Sequence, residues 1–232
     1  MVMYFSRLII AVCIASLIVT GCADVGFKKA IGPSFQPGDL VFIDSDCGPM
    51  CDAIEKVTSG YQGANLSHVG IAAQDTNGQM VVLEAVSKGV VATDLQTFLN
   101  RSTDANGEPR IMIGRLKMPY RHLIPAAIRE AVALKGRPYD KVFAIGNDAY
   151  YCSELIYEIF RRANNGESVF ELNPMTFKDP KTGQTLLAWQ EYFSKLGVEI
   201  PEGEPGINPG GISRSPAVDI VYVSESVSKS KK

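Results

Sequence analysis

The sequence predicts an α+β domain, a central antiparallel sheet with flanking helices, and two observations carry this reading. LSHVGIAA and MVVLEAV are apolar runs of strand length joined by QDTNGQ, in which Asn77-Gly78 is a strong hairpin signal. Helical periodicity lies outside that pair of strands, over residues 52–59, 124–134, the stretch after Cys152, and TLLAWQEYFSKLG. Hairpin-linked strands with helices around them form a covered antiparallel sheet, not the alternating series of a parallel one.

In chain order, PGDLVFID turns at Pro37 and Gly38 and then runs as a buried strand, Leu40–Ile43, followed by the short helix at 52–59 and the hairpin. KGVVATDLQTFLN supplies a strand and a short helix, and PRIMIGRLK another strand before a proline. The helix at 124–134 carries Ala and Glu at favourable positions and ends at KGRPYD. In YYCSELIYEIF an aromatic run becomes an amphipathic helix, with Leu155, Ile156, Ile159 and Phe160 on one side and Ser153, Glu154, Glu158 and Arg161 on the other. IPEGEPGINPGGISRSP, rich in Gly and Pro, reads as a loop, AVDIVYVS as a last edge strand and SVSKSKK as a disordered tail.

The N-terminus points to export. Arg7 precedes an apolar run over 8–19 that is too short to span a bilayer comfortably and ends in Val19, Thr20, Gly21, Cys22. VTGC resembles a bacterial lipobox, which implies that Cys22 becomes the lipidated first residue of a chain anchored in the cell envelope and facing away from the cytoplasm. The expected organisation is a signal peptide over 1–21, a lipidated N-terminus and tether over 22–36, one domain over 37–225 and a disordered tail over 226–232. Removing residues 1–21 from the 232 leaves 211, enough for one domain with a sizeable core. A net charge of −2, which becomes −3 once Arg7 is lost, argues against a nucleic-acid partner.

Of five cysteines, Cys13 leaves with the signal and Cys22 is blocked by lipid, so Cys47, Cys51 and Cys152 remain in an exported domain. Cys47 and Cys51, in DCGPMCD, could bridge across a Gly-Pro turn, stand as unpaired loop thiols, or form half of a metal site. No second pair at ligand spacing supports zinc, and no metal or cofactor is implied. Cys152 has no obvious partner. It opens a helix, whose positive N-terminal end stabilises thiolate over thiol. The competing reading is a small buried packing residue.

A nucleophilic thiolate needs a base, and only His68 and His122 are available. His122, in PYRHLIP, reads as a solvated linker residue, whereas His68 begins a strand beside the small residues Ser67 and Gly70. Glu84 is an anomaly: a carboxylate in an otherwise apolar strand, costly unless paired, and a candidate to orient the imidazole. A two-residue Asn77-Gly78 turn would place Ile71 opposite Glu84 and send His68 to the other face. A loop over 75–79 would instead set Gly70 opposite Glu84, making His68 and Glu84 diagonal neighbours about 7–8 Å apart at the backbone. A Cys152, His68, Glu84 constellation therefore requires the longer loop.

The ordered set GDLVF, SHVGIA, VLEA, GRPYD and YCSELIYEIF resembles the circularly permuted NlpC/P60 cysteine hydrolases of the YaeF/YiiX type, over roughly residues 38–162. Histidine precedes cysteine in the chain, as a permutation implies. The resemblance implies a papain-like fold, Cys152 as nucleophile, His68 as base and Glu84 as orienting residue, with an oxyanion site at the Cys152 amide. Tyr151 and Tyr139 would line the cleft, or be a packing residue and part of a turn. The implied activity is cleavage of an amide in a cell-wall peptide or a related N-acyl substrate. A lipid-directed acyltransferase or thioesterase and a non-catalytic ligand-binding lipoprotein are the alternatives. A related acyltransferase branch favours a second histidine where this chain has Glu84, which leans toward hydrolysis.

Overall fold

A computed structural model of the chain describes Met1, residues 34–45 and residues 47–227. The expected signal peptide, Cys22 and most of the expected tether lie outside the described residues, as does the tail from 228. The strands are β1 (Leu40–Ile43), β2 (His68–Gln74), β3 (Met80–Val86), β4 (Gly89–Asp94), β5 (Ile111–Leu116), β6 (Asn173–Pro174), β7 (Pro205–Gly206) and β8 (Val218–Val223). The helices are α1 (Pro49–Val57), α2 (Leu95–Leu99), α3 (Met118–Arg121), α4 (Ile124–Ala133), α5 (Cys152–Ala163), α6 (Leu187–Leu196) and α7 (Pro209–Ser213).

Six strands form one antiparallel sheet in the order β4-β3-β2-β1-β5-β8, and β6 and β7 make a separate small pair. Strand β1 is buried on both faces because apolar layers cover each side. On one face Leu40, Phe42, Val69, Ile71 and Leu83 pack with Leu155, Ile156, Ile159 and Phe160 of α5. On the other, Val41, Ile43, Ala72 and Val82 pack with Phe98 and Leu99 of α2. A β-strand sends alternate side chains to opposite faces, so the continuous apolar run LVFI serves both layers.

Four details depart from the sequence reading. Helix α1 begins at Pro49 rather than residue 52, since the fixed φ of proline suits a first helical position. The expected loop after 200 contains α7, started by Pro209 and capped by Asn208, whose side-chain oxygen accepts from the Gly211 amide at 2.7 Å. Phe35 packs against the second apolar layer, so the domain reaches back into the expected tether. At the other end Val227, within the expected tail, is buried against the main core.

Gly70 fits only because it lacks a side chain: a Cβ there would lie 2.4 Å from Val82 Cγ1, 3.0 Å from the Leu83 carbonyl oxygen and 3.2 Å from Glu84 Cβ. Gly70→Ala is expected to lower the unfolding free energy in urea by about 1–3 kcal/mol, the usual range for overpacking. An unchanged denaturation midpoint would show that β2 and β3 are less tightly joined here than these distances indicate.

Candidate active site

The β2–β3 hairpin decides whether His68 and Glu84 meet. Its register pairs Ile71 with Leu83, Ala72 with Val82, Ala73 with Val81 and Gln74 with Met80, the arrangement of the longer loop. The simple Asn-Gly turn does not form because the Asp75 carboxylate accepts from the Asn77 and Gln79 amides, both at 2.8 Å, and Gly78 turns the chain at φ 77°. His68 Nε2 consequently lies 2.6 Å from Glu84 Oε2.

Glu84 is fully buried, and its second oxygen is also occupied. Oε1 accepts from Thr93 Oγ1 at 2.5 Å and from Arg101 Nη2 at 2.6 Å. Thr93 comes from β4, diagonal to Glu84 across the ladder that pairs Glu84 with Val91. Arg101 follows α2 and lies over the Phe98 ring, 4.7 Å from its centroid.

Cys152 arrives from the opposite face. It is the first residue of α5, and Glu154 holds that helix start by accepting from the Tyr151 amide at 3.4 Å and the Gly146 amide at 3.2 Å. The sulfur and the His68 ring meet at the base of a cleft that both line, and the Ser153 hydroxyl lies 3.7 Å from the sulfur. With Nε2 of His68 facing Glu84, Nδ1 is the ring nitrogen left for the sulfur. Among the described residues Cys152 is the free cysteine, while Cys47 and Cys51 are joined by a disulfide.

Electrostatics favour charge separation in this cluster. Burial alone would hold His68 neutral, but its hydrogen bonds to Cys152 and Glu84 and their charges raise its pKa to about 9. Burial likewise opposes the Cys152 thiolate, and is outweighed by the bond to and charge of His68, with help from Ser153 and the Val69 amide, so the pKa falls. Glu84 is held below the usual carboxylate range by His68, Arg101 and Thr93 against its own burial. The arrangement favours the thiolate of Cys152 and the imidazolium of His68 over the neutral pair.

The sulfur opens into a cleft of about 150 Å³. One wall is α1, through Ile54 and Val57, with Thr58 just beyond its end, and another is aromatic, built from Phe143, Phe177 and Trp189. Apart from the Cys152 and His68 pair, the cleft is lined by uncharged side chains. Tyr151 and Tyr139 both line it; burial raises both phenol pKa values, keeping them neutral. Tyr151 also packs, since its hydroxyl accepts from the Ile207 amide at 3.1 Å. The turn in GRPYD belongs to Asp140, which accepts from the Val142 and Ala144 amides, while Tyr139 supplies the wall. His122 is exposed at the end of α3, outside the site. No group of three or more His, Cys, Asp or Glu side chains suited to a metal ion occurs among the described residues.

A helix whose first residue is a cysteine, set against an antiparallel sheet that presents a histidine, defines the papain-like class. The chain belongs to the family of permuted papain-like amidases of the YaeF/YiiX, C92 type, whose model matches residues 34–222. Its fold is similar to the crystal structure of the metalloprotein YiiX from Escherichia coli O157:H7, with a TM-score of 0.65 and 24% identity over 82% of this chain and 97% of that one. No curated protein sequence matches the chain.

The sequence reading missed Arg101, Thr93 and the aromatic wall. Charge accounting gives a signal for Arg101, because a buried carboxylate has two oxygens and one histidine satisfies only one of them. The wall is assembled from segments far apart in sequence and leaves no local pattern. Glu154 makes the site's helix start sensitive to pH: burial, with the charge of Asp140, raises its pKa from 4.5 to about 8 despite the two amides. A group raised in this way contributes stability that is complete below its unfolded pKa and lost as pH rises through the folded value. Between pH 4.5 and about 8 the wild type should therefore lose stability relative to Glu154→Gln. The expected loss is on the order of 1 kcal/mol for each pH unit of that window, read from urea unfolding at several pH values. Parallel pH profiles for the two proteins would rule out a buried, titrating Glu154.

Proposed function

We propose that the protein is an extracytoplasmic cysteine amidase, with Cys152 as nucleophile, His68 as proton carrier and Glu84 as the residue that orients His68. The observation that carries this is the continuous set of contacts from Cys152 to His68 to Glu84 at the base of a cleft. The thiolate attacks the amide carbonyl carbon, forming a C–S bond as the π electrons move onto oxygen. The Cys152 amide and the positive end of α5 stabilise that oxyanion. Imidazolium His68 then protonates the nitrogen, the C–N bond breaks and an amine leaves behind a thioester. Neutral His68 next takes a proton from water, whose oxygen attacks the thioester. The C–S bond breaks, giving the carboxylic product and the thiolate beside imidazolium again.

The basic and apolar pattern before Cys22, with its lipobox-like VTGC, supports anchoring of the mature chain by an N-terminal lipid, and the Cys47–Cys51 disulfide fits an oxidising compartment. The substrate is an amide of a cell-wall peptide or a related N-acyl compound. The uncharged, aromatic lining of the cleft favours a second reading in which the acyl group is apolar and the thioester is resolved by acyl transfer instead of water.

Iodoacetamide should alkylate Cys152 in the folded protein at pH values well below the free-cysteine pKa of about 8.5. Turnover of an N-acyl amide should decline as pH rises through about 9, where the imidazolium proton is lost. Cys152→Ser should abolish turnover with the fold retained. His68→Ala should move the onset of alkylation up toward about 8.5, and Glu84→Gln should move it less, through loss of ring orientation. If Cys152 reacts only in denaturant, it is a packing residue and the proposed nucleophile is lost.

A further inference from the structure

The charges around the buried Glu84 close only when Arg101, whose own side chain reaches solvent, is counted. Cys152 thiolate, His68 imidazolium and Glu84 carboxylate sum to one net negative charge, with Glu84 fully buried and the other two at the base of the cleft. Arg101 makes the sum zero. It does so by a direct contact of 2.6 Å to Glu84 Oε1, the oxygen that His68 does not use. Its place is fixed from two sides, by that contact and by the Phe98 ring beneath the guanidinium. Phe98 also lies beside the His68 ring, with centroids 5.9 Å apart, so one aromatic side chain supports both cations that hold Glu84.

Resting on the proposed cysteine chemistry, we propose that Arg101 is a positioning residue and fourth member of the site, holding Glu84 ionised through the part of the cycle in which His68 is neutral. Once His68 has given its proton to the leaving amine, the acyl-enzyme carries neither thiolate nor imidazolium. Glu84 is then a fully buried carboxylate facing a neutral ring, and burial favours the protonated form. With no second cation it competes with the water-activating nitrogen for the proton, and imidazole orientation is lost with its charge. A guanidinium stays charged at every pH the fold experiences, so it supplies what His68 cannot supply throughout. Thr93 adds a neutral donor to the same oxygen.

The groups facing the cluster are few. Glu84 meets His68 from β2, Thr93 from β4 and Arg101 from beyond α2; His68 meets Glu84 and Cys152; Cys152 has Tyr139 and Tyr151 nearby, both kept neutral by burial. An opposing effect is present. Arg101 and His68 are both cations, and if their repulsion dominated, removing Arg101 would strengthen the imidazolium and widen the pH range of the thiolate.

The sign of one shift separates the two cases. In Arg101→Gln the onset of Cys152 alkylation by iodoacetamide should move up by about one pH unit, which on the rising limb is about a tenfold slower reaction. Arg101→Lys should restore most of the wild-type profile, and Thr93→Val should shift it less than Arg101→Gln. Because Arg101 acts through Glu84, the double variant Glu84→Gln/Arg101→Gln should show no larger shift than Glu84→Gln alone. An onset that is unchanged or lowered in Arg101→Gln overturns the proposal, as does full additivity in the double variant. A wild-type protein with no low-pH alkylation defeats the underlying cysteine chemistry instead, so the two failures are distinct. Should Arg101→Gln not fold, difference infrared spectra of wild type against Glu84→Gln, both alkylated at Cys152, replace it. An ionised carboxylate band persisting above the His68 transition supports the assignment, and a protonated band appearing there overturns it.

Discussion

The carboxylate of Glu84 is the constraint around which this end of the sheet is organised. An ionised group sealed inside protein is tolerated only when nearly every lone pair is used and opposite charge is close. Glu84 meets that demand with three partners from three elements: the histidine that begins β2, a threonine of β4 and an arginine beyond α2. Each partner fixes a piece of backbone. The β2–β3 register has to bring His68 to the same face, which excludes the tighter turn, and Gly70 has to leave room beside the Glu84 side chain. The short helix α2 is held against the second apolar layer by Phe98, and its end delivers Arg101. A residue that would be a liability in a purely structural strand thus selects the register and the packing around it.

Cys152 reaches the same point by a different route. Helix α5 docks on β2 and β3 through its apolar stripe, and that docking aims the helix N-terminus at the strand end where His68 stands. Such a meeting depends on which strand lies under the helix and not on the order in which the two occur in the chain. A histidine that precedes the cysteine in sequence serves the same contacts as one that follows it, which is why a permuted chain can build this site. The cleft above it is made by elements outside the sheet. Helix α1 begins with a proline and a disulfide rather than a side-chain cap, and α6 contributes Trp189 to a cluster of edge-to-face aromatics.

Those differences in construction explain what could be read in advance. The buried strand at 40–43, the hairpin, the helix after Cys152 and the last edge strand follow from short-range periodicity and were legible from residues alone. His68 and Glu84 stood out because one is a scarce base and the other a charge in an apolar strand. Their meeting was conditional, since a one-residue change of register reverses every side chain, and the Asp75 carboxylate that selects the longer loop competes with a strong Asn-Gly signal. Helix α7 was hidden by its own sequence: three of its five residues are Pro or Gly, which mark turns, and it is the capping side chain of Asn208 that supports a helical turn there. Arg101 and the aromatic wall depend on contacts between distant segments, for which a single sequence carries no periodic signature.

The distribution of charge in the site bears on how the proposed chemistry would proceed. In the proposed ionised state Cys152, His68, Glu84 and Arg101 sum to zero, and apart from Cys152 and His68 the cleft is lined by aromatic, aliphatic and neutral polar groups. Formation of the tetrahedral intermediate would move the negative charge from the Cys152 sulfur onto the substrate oxygen without changing the total. The stabilisation required is therefore local, a matter of hydrogen-bond donors at the new position of the charge, and low polarity around it makes each donor count for more. The first-turn amides of α5 are the donors that the fold already aims at the sulfur's end of the cleft. Keeping the cluster neutral beneath them leaves no excess negative charge to oppose the oxyanion, so the pairing of Glu84 with Arg101 and the placement of Cys152 at a helix start serve the same electrostatic end.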